Sequence, residues 1–285
     1  MNPQIRRIAV RIVSVLAVCV FGLKAASAQD FKEKWAAFYK EHYSSLPKPE
    51  LIQTLGSNIS NKVFKPEGSG PFPAVLLVHT AGGLANDHIR NYAQALLAKG
   101  YVVLIQDSLG PRGIPFVTRA TPRAHPQIGV KDAYQGLEYL IQQSYVDKNR
   151  IYQMGTSWGG FVASSLASKG VAEVNEAKGR FRASAGLYSS CGLGSTDPYR
   201  FIFNDFDRPI LLLLAGDDKE LKPGNCFQDL QALKDKNLPL DFFIYEGIGH
   251  AWDKKGELKF GYVYNEEITK NAFNRVLEFF EKYKS

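Results

Sequence analysis

A five-residue motif near the middle of the chain has the spacing of an activated serine. The motif G-x-S-x-G occupies residues 155–159, after the apolar run 150–154 and before a helix-like stretch at 160–168. A serine at the tip of a tight turn needs neighbours without bulk, because a Cβ there would collide with the adjoining strand and helix. In this context the motif predicts that Ser157 is a nucleophile, and the alternative is a structural turn.

An acid and a histidine follow this serine in the order that serine acyl transfer uses. The apolar run 208–215 predicts a buried parallel strand, and Asp217 and Asp218 follow its end. The run 241–246 predicts the next strand, and His250 lies in the loop after it. Catalytic groups in open α/β sheets lie at the carboxyl ends of the strands, where the serine, both aspartates and the histidine all fall.

Acyl transfer also needs hydrogen-bond donors for an oxyanion. We expect one donor to be the backbone N–H of Trp158, the residue after the serine. The other is expected from the turn at 79–84, where two glycines let the backbone approach a ligand, and Ala81 is preferred over Thr80. His79 is predicted to be structural, with a second base as the alternative.

Strand-like runs alternate with helix-like runs, which predicts an α/β fold with a mostly parallel sheet and helices on both faces. No linker divides the chain after residue 28, so residues 29–285 are predicted to be a single domain. Strands are predicted at 73–79, 101–107, 150–156, 183–189, 209–215 and 240–245. Helices are predicted at 87–99, 129–143, 161–169, 226–235 and 266–284.

Segments spread along the chain resemble the dienelactone hydrolase family of α/β-hydrolases, in particular its exported members. They are HTAGG at 79–83, DSLGPRG at 107–113, GTSWGG at 155–160, YSSC at 188–191 and YEGIGHAW at 245–252. The resemblance implies an α/β-hydrolase fold with an eight-stranded type of sheet. It also implies no metal, no organic cofactor, and hydrolysis of a small-molecule ester or lactone.

The chain departs from the family pattern at two positions. The enzyme that names the family uses a cysteine nucleophile where this chain has Ser157, which favours serine-esterase chemistry and puts dienelactone itself in doubt as substrate. The family places its acid three residues after the glycine that ends the strand, and Lys219 stands there. A one-residue shift of the turn would let Asp218 reach His250, so Asp218 is the preferred acid and Asp217 the alternative.

Three side chains near the expected site are candidates for contact with substrate. Basic side chains can hold a substrate carboxylate in the resembling family, and Arg112 is the candidate here, with a solvent-facing or salt-bridged arginine as the alternative. Trp158 and Trp252 flank the serine and the histidine, where they would form an apolar wall or pack in the core. Such a wall fits an aromatic or acyl-bearing small ester.

The first 28 residues have the parts of a secretory signal peptide. Arg6, Arg7 and Arg11 give a positive start, residues 12–23 an apolar core, and residues 26–28 an A-x-A cleavage site. Export to the periplasm or out of the cell is predicted, without membrane attachment after cleavage. Because the apolar stretch is short for a transmembrane helix, an uncleaved membrane anchor is only the alternative.

The charge balance gives no support to a nucleic-acid partner. The chain has 35 basic and 28 acidic residues, and the predicted signal contains four of the bases and no acid. The remainder therefore holds 31 bases against 28 acids, a net charge of +3. A surface this mildly basic lacks the field that nucleic acids require. The oligomeric state is left open.

Two cysteines lie outside the predicted signal, and each follows a predicted strand. Because adjacent strands would place Cys191 and Cys226 on the same edge of the sheet, a disulfide between them is predicted in an oxidising compartment. The alternative is two separate buried thiols. The absence of a C-x-x-C spacing discourages a redox role.

Other functions stay open at this point. A non-catalytic binding protein would keep the fold without the chemistry, and Lys219 is the feature that favours it. A serine peptidase would need a covering domain, for which the chain has no spare length. A polymer-directed esterase would need an open, shallow cleft.

Overall fold

A computed structural model describes residues 63–84, 87–117, 126–189, 203–221, 226–256 and 262–285. The predicted signal peptide lies outside these residues. Cys191 and the side chain of Cys226 also lie outside them, so the disulfide stays a prediction.

The strands form one parallel sheet in the order β2-β1-β3-β4-β5-β6. They are β1 (Phe72–Val78), β2 (Val102–Gln106), β3 (Val146–Thr156), β4 (Ser184–Leu187), β5 (Ile210–Ala215) and β6 (Leu240–Tyr245). The predicted parallel α/β sheet is confirmed. Six strands are present within the described residues, where the family resemblance implied a sheet of eight-stranded type. An antiparallel bridge from Phe64 to Val103 continues the sheet beyond β2.

Helices cover both faces of this sheet, as predicted. They are α1 (Asp87–Ala98), α2 (Pro126–Gln142), α3 (Trp158–Ala167), α4 (Lys169–Val174), α5 (Cys226–Lys234) and α6 (Glu266–Lys282). Buried residues of α1 and α6 share one apolar cluster, and those of α2 to α5 share the other. The short α4 was not predicted. Among the described residues, no helix is both long and apolar enough to span a membrane.

The side chains of β1 show why its sequence is apolar throughout. Leu76 and Val78 belong to one apolar cluster, while Val75 and Leu77 belong to the other, and all four are buried. A strand covered on both faces has no polar side, so it reads as a continuous apolar run rather than an alternating one. The carboxyl ends of such strands form one edge of the sheet, and the candidate site lies there.

Candidate active site

Ser157 sits on a strained turn between β3 and α3. Its φ of 52° and ψ of −110° are unusual for a residue with a side chain. Its N–H donates to Leu187 O at 2.9 Å, and its carbonyl accepts from Phe161 N–H at 3.1 Å. The backbone is therefore held on both sides, which lets the strain persist. The side chain is left 9% exposed at the edge of the sheet.

Two glycines make this turn sterically possible. A Cβ at Gly155 would lie 2.1 Å from the carbonyl oxygen of Gly159, and a Cβ at Gly159 would lie 2.4 Å from Val78 O. Both obstacles are backbone atoms, which cannot move aside as a flexible side chain can. Strand β3, helix α3 and strand β1 thus approach one another closely only because these positions carry no side chain.

His250 joins Ser157 to a carboxylate. Its Nε2 lies 2.8 Å from Ser157 Oγ and its Nδ1 lies 2.7 Å from Asp218 Oδ2. His250 and Asp218 are each only 5% exposed. With the carboxylate accepting from Nδ1–H, Nε2 is left to accept the serine proton. This arrangement is able to activate the serine hydroxyl as a nucleophile.

The turn after β5 selects between the two candidate acids. Asp218 Oδ1 accepts from the backbone N–H groups of Glu220 and Leu221, at 3.0 and 2.9 Å, which leaves Oδ2 for the imidazole. Asp217 is exposed, and its backbone N–H bonds the loop that carries His250. The structure therefore brings Asp218 to the histidine and leaves Asp217 in solvent.

Tyr262 belongs to the site but was missed in the sequence. Its hydroxyl accepts from Glu220 N–H at 2.7 Å, and its ring centroid lies 6.0 Å from that of His250. Burial and the nearby Asp218 carboxylate raise the pKa of Tyr262 to about 12, so its hydroxyl stays protonated. No motif marks this tyrosine in the sequence.

The predicted oxyanion donors lie on two neighbouring backbone segments. Trp158 is the first residue of α3, and N–H groups in the first turn of a helix have no acceptor one turn back. Ala81 lies in a tight turn that Gly83 N–H closes on Thr80 O at 3.0 Å. Its own carbonyl accepts from Val117 N–H at 2.8 Å, which ties the turn to the segment after β2.

His79 supports both of these segments from below. Its Nδ1–H donates to Thr80 O at 2.6 Å, its Nε2 accepts from Ser108 N–H at 3.1 Å, and its ring stacks on Trp158 at 5.1 Å. Burial lowers the pKa of His79, which keeps the ring neutral as these bonds require. In a trans peptide the C=O and N–H point in opposite directions, so fixing Thr80 O directs Ala81 N–H away from the ring.

Two candidate substrate contacts lie elsewhere than expected. The Arg112 guanidinium bonds both oxygens of Asp132, at 2.7 and 2.8 Å, and also Ser108 O at 2.8 Å. Its side chain is only 3% exposed, so the salt-bridged alternative replaces the ligand role. Trp252 is fully buried against Tyr188 and Tyr245, which makes it a core residue rather than a pocket wall.

No metal centre is found in the part of the chain that the structure describes. Within those ranges, no group of three or more histidine, cysteine, aspartate or glutamate side chains is arranged to hold a metal ion.

Comparisons with known proteins place the chain in a family. Residues 59–284 match the model of the dienelactone hydrolase family. A predicted carboxymethylenebutenolidase of Salmonella typhi is 23% identical over 240 residues, which cover 81% of this chain and 86% of that protein.

Solved structures show the same fold. A predicted dienelactone hydrolase from Klebsiella pneumoniae has a TM-score of 0.61 and 20% identity, covering 77% of this chain and 91% of that one. Esterase 2 of Thermogutta terrifontis, phosphonylated by cyclosarin, has a TM-score of 0.59 and 16% identity, covering 77% and 87%. Because the family model extends over most of the sequence, this chain belongs to the dienelactone hydrolase family, a family of ester hydrolases.

Proposed function

We propose that the protein cleaves an ester or lactone bond of a small molecule through an acyl-enzyme on Ser157. The observation that carries this proposal is the unbroken path of hydrogen bonds from Ser157 through His250 to Asp218, at 2.8 and 2.7 Å. All three side chains are nearly buried, which strengthens each bond by excluding water.

The mechanism follows from the positions of these atoms. His250 Nε2 takes the Ser157 proton as Oγ attacks the substrate carbonyl carbon, and Asp218 holds the imidazole in the required tautomer. The N–H groups of Trp158 and Ala81 stabilise the oxyanion of the tetrahedral intermediate. Collapse expels the alkoxide, which takes the proton from the imidazolium. Water then attacks the acyl-enzyme with the same histidine as base, and Ser157 regains its proton.

The substrate class is proposed from the site and from the relatives together. The name of the Salmonella typhi relative denotes an enzyme of a butenolide lactone, so lactones belong in the first screen beside small esters. The path from Ser157 to Asp218 uses protein side chains alone, so the proposed mechanism requires no metal or organic cofactor. The signal-like residues 1–28 support a site of action outside the cytoplasm, in the periplasm or beyond the cell.

A fluorophosphonate probe tests the proposed nucleophile directly. Intact-mass measurement of the folded wild-type protein should show one covalent adduct, and Ser157→Ala and His250→Ala should show none. Ser164→Ala is the matched control, because Ser164 lies on the same helix α3 and its hydroxyl bonds a backbone carbonyl. This variant should be labelled as the wild type is.

The opposite result would change the assignment. If folded wild-type protein forms no adduct, Ser157 is not activated and the non-catalytic binding protein becomes the leading alternative. A polymer-directed esterase would label with the probe but would prefer an insoluble polyester to small esters. The two enzyme classes are therefore separated by a rate comparison after labelling succeeds.

A further inference from the structure

A buried tyrosine lies behind the His250 imidazole and has no part in the proposed chemistry. Tyr188 follows β4 and is fully buried. Its ring meets the imidazole edge to face, with centroids 4.9 Å apart and an interplanar angle of 73°. Its φ of 36° is positive, which places it among the strained residues that persist only where their surroundings hold them.

The hydroxyl of this tyrosine is anchored on a buried carboxylate. Tyr188 Oη donates to Asp253 Oδ1 at 2.8 Å, and Tyr92 Oη from helix α1 donates to Asp253 Oδ2 at 2.7 Å. Asp253 is 3% exposed and stands three residues after His250. In the described part of the chain, no basic side chain forms a salt bridge with it.

A second buried contact lies on the strand that carries the nucleophile. His88 Nε2 lies 3.2 Å from Thr156 Oγ1, next to Ser157. Burial and the Asp253 carboxylate raise the pKa of Tyr92 and Tyr188 well above the usual tyrosine value, so both remain hydrogen-bond donors. The bonds to Asp253 thus join helix α1 and the end of β4 to the loop of the histidine.

We propose that Tyr188 and Asp253 are positioning residues for His250. Asp253 fixes the Tyr188 hydroxyl, and the tyrosine ring then fixes the imidazole plane at hydrogen-bond distance from Ser157. This inference rests on the proposed function, because the residue that is positioned is the base of that reaction. A misplacement of about 1 Å costs a catalytic group about 100-fold in rate, which sets the scale of the effect.

The test separates positioning from packing. Tyr188→Phe keeps the ring and removes its anchor, while Asp253→Asn keeps the shape and removes the carboxylate. Tyr245→Phe is the matched control: it is a buried tyrosine that also contacts Trp252, and its hydroxyl bonds Asn271 at 2.8 Å and not Asp253. For each variant we would measure kcat and KM on a p-nitrophenyl ester, the rate of fluorophosphonate labelling, and the Tm.

Positioning predicts a specific combination of results. Tyr188→Phe and Asp253→Asn should lower kcat and the labelling rate by about 10- to 100-fold, with KM within about threefold of wild type. Tyr245→Phe should lower the Tm and leave kcat within about threefold. If Tyr188→Phe does not fold, Asp253→Asn decides the question alone.

Two outcomes would overturn the proposal. One is a wild-type kcat in Tyr188→Phe or Asp253→Asn, measured well below the Tm of the variant. The other is an equal loss of kcat in Tyr245→Phe, which would mean that any loosening of this region slows the enzyme. Failure of the proposed function is distinct from both, because the wild-type protein would then form no covalent adduct.

Discussion

Two buried aspartates lie on the two faces of the sheet near Ser157, and the protein compensates them differently. Asp132, on helix α2, is fully buried and faces the Arg112 guanidinium through two hydrogen bonds. Asp253, in the loop after β6, is 3% exposed and accepts from Tyr92 and Tyr188. One carboxylate is thus paired with a cation, and the other with neutral hydroxyls.

The different partners of Asp132 and Asp253 match the different roles of the two regions in the proposed reaction. Arg112 also bonds Ser108 O, and Ser108 N–H bonds His79 Nε2. The ion pair therefore helps to hold His79, which in turn bonds the turn that carries Ala81. The turn that carries Ala81 has to keep its position during the reaction. Because Arg112 and Asp132 have opposite charges and are in contact, the pair adds little net electric field to that turn.

The Asp253 carboxyl group lies one tyrosine ring away from His250, which becomes a cation in the proposed mechanism. The arrangement places a carboxyl group that is held by hydroxyls, and not by a cation, on the side of the imidazole where positive charge develops.

Breaking the ion pair gives the largest expected effect on stability. Arg112→Met leaves the Asp132 carboxylate buried without its cation, which should lower the free energy of unfolding by about 3–5 kcal/mol. Chemical denaturation measures this loss, and adding Asp132→Leu to the variant should recover much of it. Asp253→Asn disturbs only bonds to hydroxyls and should cost less, about 1–3 kcal/mol.

The Arg112→Met variant also tests whether the guanidinium contacts a substrate carboxylate. Since the side chain is 3% exposed and both terminal guanidinium nitrogens bond Asp132, Arg112→Met should change KM by the same factor for an ester with a carboxylate and for its neutral analogue. A rise in KM confined to the anionic ester would show instead that the guanidinium reaches substrate.

The lowered pKa of His79 predicts that the free energy of unfolding depends on pH, and this effect is expected to be intermediate in size. Burial lowers its pKa, so above about pH 6.5 the ring is neutral in both the folded and unfolded chains. As the pH falls below that value, the unfolded chain binds a proton that the folded chain resists. Stability is then lost by up to about 1.4 kcal/mol per pH unit, until the folded pKa is reached.

The control for this prediction is a side chain that does not titrate. In His79→Asn, the amide N–H can still donate to Thr80 O, and the other four histidines are unchanged. Free energies of unfolding measured from about pH 8 to pH 5 should therefore fall more steeply in wild type than in the variant. Parallel curves would mean that His79 takes up a proton as readily in the folded protein as in the unfolded chain.

The sequence predicted β1, β2 and β5 well, because these strands are buried on both faces and are therefore largely apolar. The rule that parallel strands end at one edge was enough to bring Ser157 and His250 together. Helix α4 was missed because six residues are too few to show a helical period. The pattern of apolar residues therefore predicts long strands and helices and where they end, but it does not reveal a short helix.

Contacts between residues that are far apart in the sequence could not be predicted from the sequence. Tyr188 and Asp253 are 65 positions apart, and Arg112 and Asp132 are 20 apart, so nothing local marks either pair. Arg112 illustrates the consequence: a basic side chain near a site suggests an anionic substrate until the fold supplies a buried carboxylate. Which partner a charge finds is decided by tertiary packing, which spacing does not reveal.

Substitution of a third aspartate, Asp217, is expected to have the smallest effect on stability and on kcat. Asp217 precedes the proposed acid by one residue, yet its side chain is exposed and its contact with the histidine loop is a backbone bond that substitution leaves intact. Asp217→Asn should change the free energy of unfolding by no more than about 0.5 kcal/mol. Its kcat should stay within about twofold of wild type.

Asp218→Asn is the matched control in the same turn. It keeps the shape of the side chain but favours the wrong imidazole tautomer, so kcat should fall by about 10⁴-fold. A large loss of kcat in Asp217→Asn would mean that the turn shifts in solution and that the two aspartates exchange roles. These neighbours carry the same charge, so the contrast between them would show that burial against His250 decides which carboxylate the reaction uses.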